Sequence, residues 1–334
     1  MSSVKNLNRF IVPNDVILAL TKIYEQIGKN DYYRSVVSND IDRVIEQTVA
    51  RDAYFLAKLI EINISDSRMR LIIMKDSTPR TKEESVLYNI KDLLRTIQSK
   101  HQGMLTQSND LVNMINYLVP NQNIKYDFVH PDKKSLLQSQ NMKSKRIMID
   151  ELNEEVQMHI QKNTYEPILL NLHFYIDFIN INPFTTNNDL AAYVFLYLLL
   201  LKTHNYSFQF VSLFELIYNQ KNEFHEELKT ASYNWNEGYA QTLGFVRIMM
   251  DLIIKSYKKT EAIILVYEND ISIKKANNIE NTIYKLPEIF TKEDIRMSHP
   301  YVSESTINRA LLKLRKEKRI KPLGKGRTAK WIKI

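Results

Sequence analysis

The chain has 334 residues, 44% hydrophobic and 25% charged, with a net charge of +8 at pH 7 and no cysteine. That length is long for one compact core and predicts two or three domains, while the composition lies far from that of chains that stay unfolded. The absence of cysteine excludes disulfides, cysteine-held zinc and thiol nucleophiles. Six glycines and nine prolines are too few for a turn-rich sheet architecture, so the expected class is mainly α.

The opening MSSVKNLNRF carries no apolar core of signal-peptide length, and a cytoplasmic location is expected. Apolar residues recurring every three to four positions predict helices over 15–27, 40–61, 82–98, 108–118, 149–161 and 166–179. The polar, proline-containing stretch 120–147 predicts a long loop or hairpin. The longest apolar run, LAAYVFLYLLLL over 190–201, has twelve residues, well short of the roughly 20 that a spanning helix needs. It reads as a buried core helix, and no membrane partner is expected. A charged stretch over 268–279 marks the approach to the last domain. His159, His173, His204 and His225 lack the spacing of a metal site, and neither a GxGxxG nor a P-loop occurs. No metal is expected.

From Glu166 the sequence runs EPILLNLHFYIDFININPFTTNNDLAAYVFLYLLLL, and SLFELIYNQKNEFHEELKTASYNWNEGYAQTLGFVRIMMDLI follows from Ser212. These stretches resemble the Fic family, in which a buried helix, the loop HPFxxGNGRxxR and a second buried helix precede a tryptophan and a long helix. Further upstream, AKLIEINISDSRM from Ala57 is similar to the SxxxEG-type helix that blocks the active site of many Fic proteins. The three stretches stand in family order. The resemblance implies that the histidine position is general base, that the glycines and Asn form an anion-holding loop, and that the two arginines grip nucleotide phosphates. In this sequence the histidine position is Asn182 and the acidic, metal-holding position is Thr186. The glycine positions are Asn187 and Asp189, and the arginine positions are Leu190 and Tyr193; Pro183, Phe184 and Asn188 are kept. An amide takes no proton at neutral pH, and an aspartate beside a phosphate loop repels what the loop should attract. Nucleotidyl transfer is therefore expected to be lost, with no catalytic residue and no cofactor; ATP with Mg belongs only to the alternative of a rearranged transferase. Upstream, the inhibitory glutamate is kept as Glu61, while Ile62 and Ala57 replace the family's glycine and its leading Ser or Thr, and Glu61 has no motif arginine to meet.

The last fifty residues carry the charge. From Ser303 to Ile334 there are eleven Lys and Arg against Glu304 and Glu317, a balance of +9, which leaves −1 for everything before. A cationic excess confined to one segment reads as a surface for a polyanion. Apolar residues in NTIYKLPEIF, from Asn281, could close a small core, and Thr291 with Asp294 predicts a helix start, the helix ending near Met297. After a turn at Ser298, His299 and Pro300, Ser303 or Ser305 can cap a second helix with Ile307, Ala310, Leu311 and Leu314 on one face. Strands over 320–323 and 329–334 around Gly324 to Arg327 predict a hairpin. The order resembles the winged-helix domains of bacterial regulators. That resemblance implies that Ser305, Thr306, Asn308 and Arg309 face base edges, while Lys313, Lys325, Arg327 and Lys330 meet the backbone. The expected organisation is an N-terminal helical region over 1–80 with the inhibitory-helix-like segment, a Fic-like helical domain over 81–268 and a winged-helix domain over 278–334. The expected function is regulatory binding of double-stranded DNA. Self-association as a homodimer and a purely protein-binding role stay open.

Overall fold

The computed structural model describes all residues except 1, 39, 130–143, 273–274, 301 and 325–328, and over 269–272 and 275–278 it describes the backbone only. It is mainly helical. In chain order the helices are α1 (Asn14–Ile27), α2 (Asn30–Val36), α3 (Ile41–Leu59), α4 (Asp66–Lys75), α5 (Lys82–Lys100), α6 (Ser108–Leu118), α7 (Lys145–Lys162) and α8 (Pro167–Ile181). After them come α9 (Asn188–Lys202), α10 (Leu213–Asn219), α11 (Lys221–Ala231), α12 (Leu243–Ser272), α13 (Lys275–Lys285), α14 (Lys292–Ser298) and α15 (Glu304–Lys316). None of the helices, among the described residues, is long and apolar enough to cross a membrane.

The chain divides into two compact units, the first made of 1–28 and 48–257 and the second of 29–47 and 258–334. These boundaries differ from the 1–80, 81–268 and 278–334 expected from sequence. The reason lies in α3 and α12, which run unbroken through 47/48 and 257/258, so no linker or change of composition marks either place.

In the first unit, α8 and α9 are apolar on nearly every side. Residues 168–170, 172–178 and 190–201 are all buried, as a central helix pair requires. Phe195 of α9 meets Phe174 and Phe178 of α8, with ring centroids 5.0 and 4.5 Å apart. The start of α8 follows from Glu166, whose carboxylate accepts the Ile168 and Leu169 N–H groups at 2.9 and 2.6 Å, and from Pro167 at the first helical position. The 120–147 stretch supplies antiparallel bridges Tyr126 to Phe184 and Phe128 to Ser144.

The second unit gathers α2, the start of α3 and the end of α12, where Lys29 reaches Glu261 at 3.2 Å and Tyr32 reaches Glu268 at 2.5 Å. It continues through α13, β1 (Ile289–Phe290), α14, α15, β2 (Ile320–Pro322) and β3 (Trp331–Lys333). The strands form an antiparallel sheet in the order β1-β3-β2, with Ile289 opposite Ile332 and Lys321 opposite the same residue on the other side. Ile279, Ile283, Phe290, Ile295, Ile307, Leu311, Leu314, Ile320 and Trp331 make one core. Thr291 and Asp294 close a reciprocal cap on α14, and Ser303 accepts the Thr306 N–H at the start of α15. The stretch 268–279, read from its charge as an approach segment, is helical at its described positions, and the domain start expected at 278 falls inside α13.

Candidate functional site

The loop between α8 and α9 is held by asparagines in unusual conformations. Asn182 ends α8 with φ 48°, its N–H bonding to the Phe178 and Ile179 carbonyls, and Asn187 precedes α9 with φ 58°. Asn tolerates the left-handed region better than most residues. Asn188, the first residue of α9, bridges the loop with its side chain, accepting the Phe184 N–H at 2.8 Å and donating to the Phe184 carbonyl at 2.7 Å. The loop then pairs with the strand-like segment before residue 130: Asp127 N–H donates to the Pro183 carbonyl, and Thr185 N–H to the Lys125 carbonyl. Lys145 donates to the Asn182 carbonyl and to Asp127, both at 3.0 Å.

Above this loop lies a cavity of about 700 Å³. The end of α3 and the turn beyond it supply Leu59 to Ile62, the start of α5 supplies Lys82 and Glu83, and Asn121 and Gln122 come from the turn after α6. The loop and α9 contribute Asn182, Pro183, Asn187, Asn188, Asp189, Leu190 and Tyr193, faced by Phe224, His225 and Leu228 of α11. Leu190 and Tyr193 are buried, at 3% and 6% exposure. The Tyr193 hydroxyl meets His225 Nε2 at 2.7 Å, and burial followed by the Asp189 charge raises the phenol above its usual range. Glu61 is exposed at φ 54°, in the turn that ends α3, where Ile62 N–H returns to the Ala57 carbonyl. Among the described residues, no three His, Asp or Glu side chains are placed to hold one metal ion.

No family model and no curated protein matches the chain. Solved structures do. A Fic family protein from Desulfovibrio desulfuricans aligns over 97% of this chain and 97% of its own, with a TM-score of 0.57 at 11% identity. A Fic domain containing signaling protein from Bacteroides thetaiotaomicron aligns over 74% of this chain and 98% of its own, with a TM-score of 0.55 at 13% identity. The chain has a Fic-like fold. At such identity the likeness concerns the path of the backbone, and the chemistry rests on the side chains present.

Of the positions read from the Fic resemblance, Glu61, Asn182, Pro183, Asn188, Leu190 and Tyr193 all line the one cavity. Phe184 is buried against Tyr126 and Phe178 instead. The sequence did not point to Lys82, Asn121, Gln122 or His225 as neighbours of the loop. His225, which its spacing from the other histidines marks as structural, stands 32 positions from Tyr193, and only the packing of α11 on α9 joins them.

In the second unit of this Fic-like chain, α15 buries Ile307, Ala310, Leu311 and Leu314 and leaves Ser305, Arg309, Leu312 and Lys316 along the opposite, exposed side. Asn308 is half-buried at the flank. Thr306 is also half-buried, and its hydroxyl lies 2.7 Å from Ser303, so it serves the helix cap. Lys313 turns to Glu280 of α13. Lys330 is exposed, whereas Lys325 and Arg327 lie outside the described residues. Leu312, 60% exposed, and Lys316 complete a face that the charge pattern alone did not delimit.

Proposed function

We propose that this chain is a DNA-binding regulatory protein, in which the last sixty or so residues act as a winged helix and the Fic-like unit no longer transfers nucleotides. The observation that carries the first half is the outward side of α15. A helix seated on its own apolar core leaves Ser305, Arg309, Leu312 and Lys316 exposed, with half-buried Asn308 beside them. Arginine recognises guanine through two parallel hydrogen bonds, an exposed leucine suits a thymine methyl, and lysine at the far end meets phosphate. The antiparallel β2-β3 pair that follows α15 along the chain supports this reading, since a hairpin wing follows the second helix in such domains.

The second half rests on the cavity. A magnesium nucleotide needs donors for its phosphates, a carboxylate for the metal and a base for the acceptor hydroxyl. At the corresponding places stand buried Leu190, Tyr193 engaged with His225, and Asn182, while Thr186 at the acidic position is outside the lining and carries no carboxylate. Asp189 adds a negative charge where the phosphates would lie. These residues do not fit the group, and no step through it follows.

Gel-shift titration with a pool of duplex sequences tests the first half. Arg309→Ala should relax sequence preference and weaken the selected site by about 1–3 kcal/mol. An unchanged affinity and an unchanged selected sequence would remove the assignment. Incubation with labelled ATP tests the second: label appearing on the protein, and lost in Asn188→Ala, would contradict it.

A further inference from the structure

The inner side of α15 is complete without Leu312. Ile307, Ala310, Leu311 and Leu314 fill the core of the domain and are buried, so the helix needs no further apolar residue to seat itself. Leu312, on the other side, is 60% exposed. One leucine at a surface is ordinary, and its register is what gives this one meaning. Ser305, Arg309, Leu312 and Lys316 follow one another at intervals of four, three and four residues, the spacing that lines side chains along one face of a helix. The leucine thus lies between a guanidinium and an ammonium group. Neither Arg309 nor Lys316 has an ion-pair partner among the described residues.

A surface that covers this face must offer negative charge on both sides of an apolar group. The major groove of DNA has that order, with phosphates along its two rims and base edges between them. Its edges carry hydrogen-bond donors and acceptors, and the one apolar group in their pattern is the C5-methyl of thymine, a group that a methylated cytosine also carries. Leucine has no hydrogen bond to give. Laid over a donor or acceptor it would strand that group from water at a cost, whereas laid over a methyl it removes apolar surface from water. Arg309 precedes Leu312 by three residues, about 4.5 Å along the helix axis, which is close to the roughly 3.4 Å between stacked base pairs.

We infer that Leu312 makes recognition depend on a pyrimidine C5-methyl at a base pair neighbouring the guanine taken by Arg309. This rests on the proposed binding of duplex DNA by α15, and adds which group on the bases is read and which residue reads it.

The probe is a duplex selected by the full-length protein from a random-sequence pool, rebuilt with uracil in place of each thymine in turn. Uracil keeps the pairing, the charge and the hydrogen-bonding edge and lacks only the methyl. At one thymine beside a guanine the exchange should weaken binding by about threefold, the scale of one buried methyl, as read by fluorescence anisotropy at fixed salt. Leu312→Ala should bind the thymine and uracil forms equally while its Tm stays at the wild-type value, and Leu312→Met should keep the preference. A second selection, from a pool with 5-methylcytosine in place of cytosine, distinguishes the sources: there, cytosine restored at one position should produce the loss if methylcytosine is the base read. Duplex binding that is indifferent to every methyl overturns the inference and leaves the DNA reading standing. So does a methyl preference that survives in Leu312→Ala, or a Leu312→Ala variant that loses Tm and binds both forms more weakly by the same factor. No duplex binding at all, or displacement of the selected duplex by polyglutamate as readily as by itself, removes the DNA reading together with this one.

Discussion

Glu61 occupies the left-handed region at φ 54°, where the Cβ of an L-residue crowds the next carbonyl and costs about 1 kcal/mol relative to glycine. The position is the turn after α3, the place where helices most often end in glycine. Glu61→Gly should therefore stabilise the protein by about 1 kcal/mol, raising Tm by roughly 2–4 °C. A lower Tm in this variant would mean that the Glu61 side chain holds the turn together. A different balance governs Asp52, fully buried on α3, which accepts from the Ser212 hydroxyl at 2.7 Å, the Phe214 N–H at 3.1 Å and the Tyr197 hydroxyl at 3.1 Å. Burial outweighs these donors and pushes its carboxyl up to about 7. The native state thus holds this proton more tightly than the unfolded chain, so the Asp52 contribution is complete below pH 4 and lost as pH rises through 7. His173 runs the other way. Burial lowers it to about 4, so its contribution is complete above pH 6.5 and lost as pH falls through 4. Asp52→Asn removes only the first dependence: the Tm difference between wild type and variant should be widest near pH 4 and shrink by several degrees towards pH 7. A constant offset across that window would refute the assignment.

Helices were legible where their own sequence carried start, stop and face together. The apolar spacing gives Ser108 to Leu118 to the residue and α8 to within two residues at its end, 179 against Ile181. The helices α2 and α4 were missed. The seven residues of α2 carry no repeating apolar face, and its side chains Tyr32 and Tyr33 instead reach Glu268 and Glu261 on α12, a contact no local pattern announces. The motif loop was located by its order of residues, but the cavity around it needed α5, α11 and the turn after α6, which lie far away in sequence. The same is true of Asp177 in the middle of α8. It is fully buried and accepts from the Ser2 hydroxyl at 2.5 Å, the Ser3 and Val4 N–H groups at 2.5 and 2.9 Å, and Trp235 Nε1 at 2.6 Å. Asp177→Ala would strand these donors, at about 1–3 kcal/mol for each that water cannot reach. Urea unfolding should show a loss of at least about 3 kcal/mol, and in a Trp331→Phe background the Trp235 emission should shift before the main transition. A loss below about 1 kcal/mol would show that the four contacts do not act as a structural tie.

At the scale of the whole molecule the charge is concentrated, since Ser303 to Ile334 carries +9 and the remainder −1, together the net +8. Not all of those cations are free to meet phosphate. Lys313 is committed to Glu280, Arg319 to the Tyr284 hydroxyl and Glu317, and Lys333 to the carbonyls of Tyr284 and Leu286. The side chains of Arg309, Arg315, Lys316, Lys318, Lys321 and Lys330 have no such intramolecular partner among the described residues. Each phosphate neutralised releases counterions and steepens the log–log dependence of affinity on salt by about 0.9. If these six are engaged, with or without Lys325 and Arg327, the slope should lie between roughly −5 and −7. Neutralising Lys316 and Lys321 together should flatten it by about 2 and weaken all duplex sequences alike, because phosphate contacts carry no base information. Neutralising Lys313 should change it far less, its charge being already met by Glu280. The measurement is fluorescence anisotropy of a labelled duplex at five salt concentrations. A slope near zero, or an equal loss for Lys313 and Lys316, would mean that the cationic segment serves the internal packing of its own domain and not a nucleic acid.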